Sequence, residues 1–336
     1  MKKIFTFIKE TIIEEYKFII FLVLLYIILQ FPLNYYIVTG GGASDVSSRI
    51  NVEEAYKEKG SFNISYVTEL QGTILTYGLS YIIPTWERED ADNYKYSKKE
   101  SIEDIEFRSD LDLLTSNGTA TYWAYKLANK DIKVKSEKMY IIIIFDGYET
   151  PLKVGDEVLS INGNTYDTVD KYREYIQTLK ENDYATIKIK RNNKEKEVKS
   201  KIYKNKDRLI LGVGLQFVRE YNTDPKVKIK FRKTESGPSG GLITTLELYN
   251  QLTKKDITKG LKITGTGTIE EDGTIGEIGG VEHKLLGAYD AKSDVFLVPD
   301  GQNYKDAIKY KKDKKLKIKI IKVKTIEDAI EKLKEI

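Results

Sequence analysis

The chain contains no cysteine. That excludes a disulfide scaffold, a cysteine nucleophile and any metal site built on thiolates. Histidine is almost as scarce: His283 is the only one in 336 residues. A metal centre of several imidazoles is therefore excluded, and a Ser–His–acid triad would have that single residue to use. The net charge of +4, from 55 Lys+Arg against 51 Asp+Glu, is too small to argue for nucleic acid as a partner. No Gly-x-x-x-x-Gly-Lys-Ser/Thr sequence occurs, so the phosphate-cradling loop of P-loop ATPases is missing and no ATP is expected to bind. Neither a metal nor a cofactor is expected. Hydrophobic content of 40% and charged content of 32% are those of a globular chain, long enough for two or three domains.

Charge is also missing locally. Residues 18–31 read FIIFLVLLYIILQF, and beyond Pro32 the apolar character continues to Val38. The 21 residues from 18 to 38 match the ~20 that cross a hydrocarbon core. Lys2, Lys3, Lys9 and Lys17 precede this run, and Arg49 is the first basic residue after it. The positive-inside rule then predicts a cytoplasmic tail (1–17), a single transmembrane helix (18–38) and an extracellular remainder. Tyr35 and Tyr36 would lie at the outer interface. A cleaved signal peptide is the competing reading, with GGGAS at 40–44 as its cleavage site. The long tail, which carries acids as well as lysines, favours the uncleaved anchor.

The remainder of the chain reads as α+β. Residues 60–83 predict a strand and then a strand or helix; 84–110 read as a charged, exposed connection with a short helix at most. Ala120, Trp123, Ala124 and Leu127 share a helical face in 119–129. From Met139 the pattern turns β-rich: a buried strand MYIIIIF, the strand EVLSI, an Asn162-Gly163 turn, and an amphipathic helix over 168–180. The strand ATIKIKR, an Asn192-Asn193 turn and a last strand complete this part. FLVP at 296–299 reads as a core strand, and 325–335 as a terminal helix. The lysine-rich run 309–324 reads as an amphipathic strand with a solvated face rather than a nucleic-acid patch.

The stretch ESGPSGGLITTLELYN, 235–250, poses a sharper question: why a serine there? Pro238 suits a helix start, and Leu242, Leu246, Tyr249 and Leu252 come after it at helical spacing. Ser239 would then sit among free amides at the positive end of a helix dipole, where an oxyanion is stabilised. Gly237, Gly240 and Gly241 leave room for a substrate backbone. Ser239 is thus placed either as a nucleophile or as a simple helix cap.

A nucleophilic serine needs a base. ITGTGTIEEDGTIGEIGGVEHKLLGA, 263–288, reads as a strand, a hairpin at Glu271-Asp272-Gly273, a second strand, a Gly279-Gly280 break and a helix. Lys284 falls in the first turns of that helix among Val281, Leu285, Leu286 and Ala288. Burial there would disfavour its ammonium form, and a neutral amine can take a serine's proton. A surface lysine is the plain alternative in so lysine-rich a chain.

Two stretches resemble known families. PLKVGDEVLSINGNTY, with a helix and an alternating strand after it, resembles a bacterial PDZ domain, which implies peptide binding. GPSGG together with GTGTIEEDGTIGEIGGVEHKLLGA is similar to the proteolytic domain of Lon proteases, and closer still to their membrane-anchored, ATP-independent, PDZ-containing relatives, the YlbL/SepM-like peptidases. This resemblance implies that Ser239 is the nucleophile, Lys284 the base, and Thr266 a partner of the lysine, with Gly237, Pro238 and Gly240 in support. The motif departs from the family at Gly240, where Ala or Ser is usual, and His283 precedes the lysine. Helix neighbours point about 100° apart, so only one of His283 and Lys284 can face the serine; the family points to Lys284.

The implied organisation is a linker and N-terminal part of the Lon-like domain (39–130), an inserted PDZ domain (131–204) and the proteolytic domain (205–336). The implied function is a membrane-anchored serine endopeptidase that cuts extracellular or surface peptides and proteins without ATP. Two rivals differ in class. One is a non-catalytic PDZ scaffold on an inactive protease fold, against which Ser239, Lys284 and Thr266 all stand present. The other is a small-molecule kinase, against which stands the intact lysine motif.

Overall fold

The computed structural model describes residues 14–336, so residues 1–13, most of the expected cytoplasmic tail, lie outside the described residues. The described chain forms two compact units. The first takes residues 14–40 and 67–94, the second residues 41–66 and 95–336.

In the first unit, helix α1 spans Tyr16–Leu29. It is 14 residues long, about 21 Å at the helical rise, against the ~30 Å of a hydrocarbon core. No described helix is long and apolar enough to cross a membrane. The single helix expected over 18–38 is therefore corrected. Pro32 lacks an amide hydrogen and disfavours a helical residue before it. Beyond it the β-prone LNYYIV enters strand β1 (Pro32–Asp45), where Ile37 and Val38 are buried in protein. Strands β2 (Ile50–Val52) and β3 (Ser61–Thr73) come next; β1 and β3 each run from one unit into the other. Thr73 caps the short helix α2 (Ile74–Leu79) through a reciprocal pair with Thr76. Strand β4 (Glu87–Asp90) then pairs antiparallel with Tyr35–Val38 of β1.

The longer segment of the second unit, residues 95–336, begins with the long helix α3 (Ile102–Leu127). It contains the expected 119–129 helix but starts well inside the stretch read as an exposed connection. Ser101 and Asp104 form a capping box at its start. Ile105, Arg108, Leu111, Ser116, Ala120 and Trp123 make its buried stripe. The stripe is broken by polar members, which hid the period: Arg108 is buried with Glu100, itself buried, as an ion-pair partner.

Strands β5 (Asp131–Ile144), β6 (Glu157–Ile161), helix α4 (Val169–Gln177), and strands β7 (Tyr184–Arg191), β8 (Lys194–Lys201), β9 (Tyr203–Asn205), β10 (Arg208–Ile210) and β11 (Val213–Asp224) build the β-rich part. Its five-stranded antiparallel sheet runs β11-β5-β6-β7-β8, with Tyr172 and Ile176 of α4 in a core shared with Met139, Ile141 and Ile187. Asn162-Gly163 and Asn192-Asn193 turn with positive φ at both residues, at 49° and 78° and at 52° and 60°, as two-residue hairpins of native twist require. The carboxylate of the fully buried Asp156, next to Gly155 (φ 88°), accepts two bonds from Arg191, each 2.5 Å.

Strand β12 (Val227–Ile229) returns to pair with β2. Then come α5 (Gly241–Leu252), β13 (Lys262–Gly265), α6 (Val281–Asp290), β14 (Val295–Pro299), α7 (Gln302–Asp313), β15 (Lys319–Val323) and α8 (Ile326–Glu335). Here β3, β13, β14 and β15 pair in parallel, as strands joined through helices must. The lysine run 309–324 is not one strand. It finishes α7, turns, buries Leu316 and Ile318, and only then enters β15. Lysine fits the water face of either element, so it left the boundary unmarked.

Helix α5 is deeply enclosed, with every residue from Gly241 to Leu248 buried. Inside it lies an acid. Glu247 is fully buried; its Oε1 accepts from Gln251 at 2.5 Å, and its Oε2 has no hydrogen-bond partner among the described residues. Burial first, and then the nearby Glu58 carboxylate, push its pKa up to about 8 from 4.5. Glu58 is itself raised, chiefly by burial, with Asp45 and Asp256 adding repulsion.

The folded protein keeps the Glu247 proton after the unfolded chain has lost it. Stability attributable to this group is full below about pH 4.5, falls as pH rises, and levels off above about pH 8. Glu247→Gln keeps the shape and removes the titration. Its unfolding free energy should match wild type near pH 4.5 and exceed it by roughly a few kcal/mol at pH 8, as read from urea unfolding at the two pH values.

Candidate active site

The chain folds so that a strand end and a helix start are laced together at Ser239. Gly240 is the N-cap of α5, one residue after the serine, close to the start expected from Pro238. The Ser239 carbonyl accepts from the amide of Gly267 at 2.9 Å and from the Thr266 hydroxyl at 3.2 Å. In return the Leu242 amide donates to the Gly267 carbonyl at 3.1 Å. Thr266 and Gly267 directly succeed β13, and Thr266 is fully buried. The structure thus brings Thr266 to the backbone of Ser239. Two of the helix-start amides are already used in this framework: Leu242 as above, and Gly241, which donates to the Pro238 carbonyl at 3.1 Å. The expectation of freely available amides around the serine is narrowed accordingly.

Helix α3 holds the loop from the other side. Ser116 donates to the Pro238 carbonyl at 3.1 Å, and the Gly237 amide donates to the Ser109 carbonyl at 2.9 Å. Gly237 sits at φ 80°, which favours glycine. Sequence reasoning missed both serines. For Ser116 the signal available was the small-residue run TSNGTA, which lets another element approach a helix closely; Ser109 acts through its backbone carbonyl, which no side-chain pattern marks.

Lys284 lies in the first turn of α6, its amide bonded to the Gly280 carbonyl at 3.0 Å. Gly280 starts the helix in the left-handed region at φ 66°. The lysine is only 4% exposed, as buried as its apolar neighbours Val281, Leu285 and Ala288. It is not a surface lysine. His283, next to it, is half-buried.

Gly41 and Gly42, in the stretch that only the competing signal-peptide reading would cleave, also bear on the site. A Cβ on Gly41 would fall 2.1 Å from the Tyr66 carbonyl oxygen and 3.3 Å from that of His283. A Cβ on Gly287 would fall 2.7 Å from the Gly42 amide nitrogen. Gly41 and Gly42 are therefore where β1 presses on β3 and on the helix that carries Lys284; they are built into the fold.

The turn after Thr266 differs from the expected hairpin. Glu270 donates its amide to Thr274 at 2.9 Å, closing the turn at Asp272-Gly273. Beyond it the chain leaves its own partner: the Ile275 amide bonds the Lys324 carbonyl at 2.8 Å, and Thr274 bridges to Thr325. The C-terminal segment takes the place of a second strand. Arg219 of β11 ties this turn to the β-rich part, bonding Glu271 at 2.6 Å and Glu137 at 2.8 Å.

Residues 230–335 match the family described as Lon protease (S16) C-terminal proteolytic domain. Residues 133–202 match the PDZ domain family. The chain carries a Lon-type proteolytic domain and a PDZ domain. The Lon protease of Aster yellows witches'-broom phytoplasma is 34% identical over 95 residues, which is 28% of this chain and 12% of that protein. The Lon protease of Trichlorobacter lovleyi is 32% identical over 96 residues, 29% of this chain and 11% of that protein. The chain thus spans only 11–12% of the length of these curated relatives. Among solved structures, the PDZ domain of an SdrC-like protein from Listeria monocytogenes is 25% identical, covering 25% of this chain and 92% of that one, with a TM-score of 0.23. The second domain of another Listeria protein is 23% identical, covering 26% of this chain and 88% of that one, with a TM-score of 0.21. Ser239, Thr266 and Lys284 all fall within the Lon-type match, before α5, after β13 and on α6.

The two glycines behind Ser239 differ in what they permit. A Cβ on Gly240 meets the Ile64 side-chain tip, Cδ1, at 2.8 Å, which can rotate away. A Cβ on Gly241 meets Ser116 Oγ at 2.6 Å and the Ile269 backbone nitrogen at 2.9 Å, which cannot all move. Gly240→Ala, the residue usual in Lon motifs, should therefore leave stability within about 1 kcal/mol of wild type, whereas Gly241→Ala should cost about 1–3 kcal/mol. Thermal unfolding of the two variants side by side checks the difference.

Proposed function

We propose that this chain is a serine endopeptidase with a Ser–Lys dyad, Ser239 as nucleophile and Lys284 as base, acting on flexible peptides or exposed protein segments. The single observation that carries the reading is the burial of Lys284, at 4% exposure, within the same Lon-type domain that sets Ser239 at the start of a buried helix. Burial favours the neutral amine over the ammonium, and a neutral amine is the form that can act as a base. Lys284 takes the Ser239 hydroxyl proton as Oγ attacks the scissile carbonyl. The tetrahedral oxyanion collapses, the peptide C–N bond breaks, and Lys284 returns the proton to the leaving amine. Water, deprotonated by the same lysine, then cleaves the acyl ester. Thr266 holds the Ser239 carbonyl and keeps the loop in register.

The chain holds no P-loop sequence, so the reading is of cleavage without ATP and of substrates that need no unfolding. The PDZ domain would add a site for an extended peptide segment.

Attachment to a membrane belongs to the same proposal. Helix α1 has no buried residue, and side chains such as Phe18, Phe21 and Tyr26 are 57–63% exposed. Water does not favour so apolar a surface, and lipid does. With Lys2, Lys3 and Lys9 ahead of α1, Lys17 in its first turn and no further basic residue before Arg49, the proteolytic and PDZ domains are proposed to lie outside the cell. Protease added to intact cells should then digest the C-terminal part, and full protection would overturn the location.

Ser239→Ala and Lys284→Ala should each reduce cleavage of an unstructured polypeptide to background with the fold intact by circular dichroism. Wild-type kcat/KM should rise with pH through one ionisation, as a lysine that must be neutral demands, and should be indifferent to chelators and to ATP. Full activity in Lys284→Ala with loss in His283→Ala would replace the base. Peptide binding by the PDZ domain without any cleavage would leave a scaffold.

A further inference from the structure

The first unit carries an exposed apolar elbow that the proposed proteolysis does not use. The Ile74 amide donates to the Phe31 carbonyl at 3.2 Å, which pins α2 at the level where α1 ends. Around this junction Phe31 is 63% exposed, Tyr81 67% and Ile82 75%. The tyrosines form a chain of rings: Tyr35 to Tyr77 at 5.0 Å between centroids, Tyr77 to Tyr81 at 5.7 Å. The Arg88 guanidinium lies 4.0 Å from the Tyr81 ring centroid and bonds Ser80 Oγ at 3.2 Å. Trp86 closes the elbow through its amide, 3.1 Å from the Ile83 carbonyl.

Aliphatic tips, phenol rings with polar ends, an indole and an arginine are what a bilayer's headgroup boundary accepts. Position matters as much as composition. The helix ends at Leu29 and Pro32 opens β1, whose Ile37 and Val38 are buried in protein, so the end of α1 is where the proposed lipid-facing segment stops. The Phe31–Ile74 bond places the elbow at that depth.

We infer that the elbow, residues 74–88, seats in the headgroup–acyl boundary of the same bilayer that receives α1. Tyr81 and Ile82 enter the acyl side, and Arg88 meets lipid phosphates. The inference rests on the membrane attachment proposed above. It makes that attachment two-pointed, so the first unit is held against the bilayer instead of swinging on one helix.

The chain contains two tryptophans. Trp123 is buried at 6% exposure in the second unit, so Trp86 is a built-in reporter. The full chain is reconstituted into phosphatidylcholine–phosphatidylglycerol vesicles carrying bromine either near the glycerol end or near the acyl terminus. Vesicle flotation and tryptophan emission are both read. The chain should float, and shallow bromine should quench more emission than deep bromine. Trp86→Phe should abolish the quenching, and the Tyr81→Asp, Ile82→Asp double variant should lose most of it while still floating. A chain that floats with Trp86 unquenched overturns the inference alone and leaves the elbow to water or a protein partner. A chain that does not float overturns the attachment and the inference together.

Discussion

The Ser239 carbonyl and the two groups that hold it are what the candidate site depends on. Gly267 and Thr266 bond it at 2.9 and 3.2 Å, while Leu242 returns a bond to Gly267. These contacts join the end of a central parallel strand to the start of a buried helix. They fix where the serine stands before any substrate arrives, and fixed polar groups need no rearrangement when charge develops. The surrounding packing serves the same joint. Ser109 and Ser116 of α3 hold the loop from behind, and Gly241 allows α3, α5 and the Thr266 turn to meet at backbone distance.

A second constraint is close approach around α6. Gly41, Gly42 and Gly287 give up side chains so that β1 can reach the helix bearing Lys284. That contact gives the early part of the chain a structural share in the site. Arg219 gives the PDZ domain a share of a different kind, through its bonds to Glu271 of the turn after Thr266 and to Glu137 of β5.

Much of this was legible in the sequence. The hairpins of the β-rich part declare themselves through turn chemistry, since Asn-Gly and Asn-Asn fit the positive φ of two-residue hairpins, and its likeness to a PDZ domain came from the pattern PLKVGDEVLSINGNTY. The Gly-Pro-Ser and Gly-Gly motifs mark two helix starts, where proline and glycine act locally. What stayed hidden was set by tertiary contact. The buried Arg108–Glu100 pair breaks the apolar stripe of α3, so its first half read as an exposed connection. An apolar run split by Pro32 read as one helix, although its second half is a core strand with Ile37 and Val38 inside. The packing role of Gly41 and Gly42 stayed hidden because only the folded chain shows what presses on them. The partner of Ile275 lies about fifty residues away, at Lys324, beyond the reach of any local hairpin signal.

The proposed dyad chemistry is tested most directly by trapping it. A peptide boronate mimics the tetrahedral intermediate and bonds to the attacking oxygen. Incubated with the full chain and mapped by mass spectrometry, it should attach at Ser239 and nowhere else, and it should fail to attach in Lys284→Ala, whose serine lacks a base. Attachment at another residue, or undiminished peptide cleavage with no adduct at Ser239, would contradict the account.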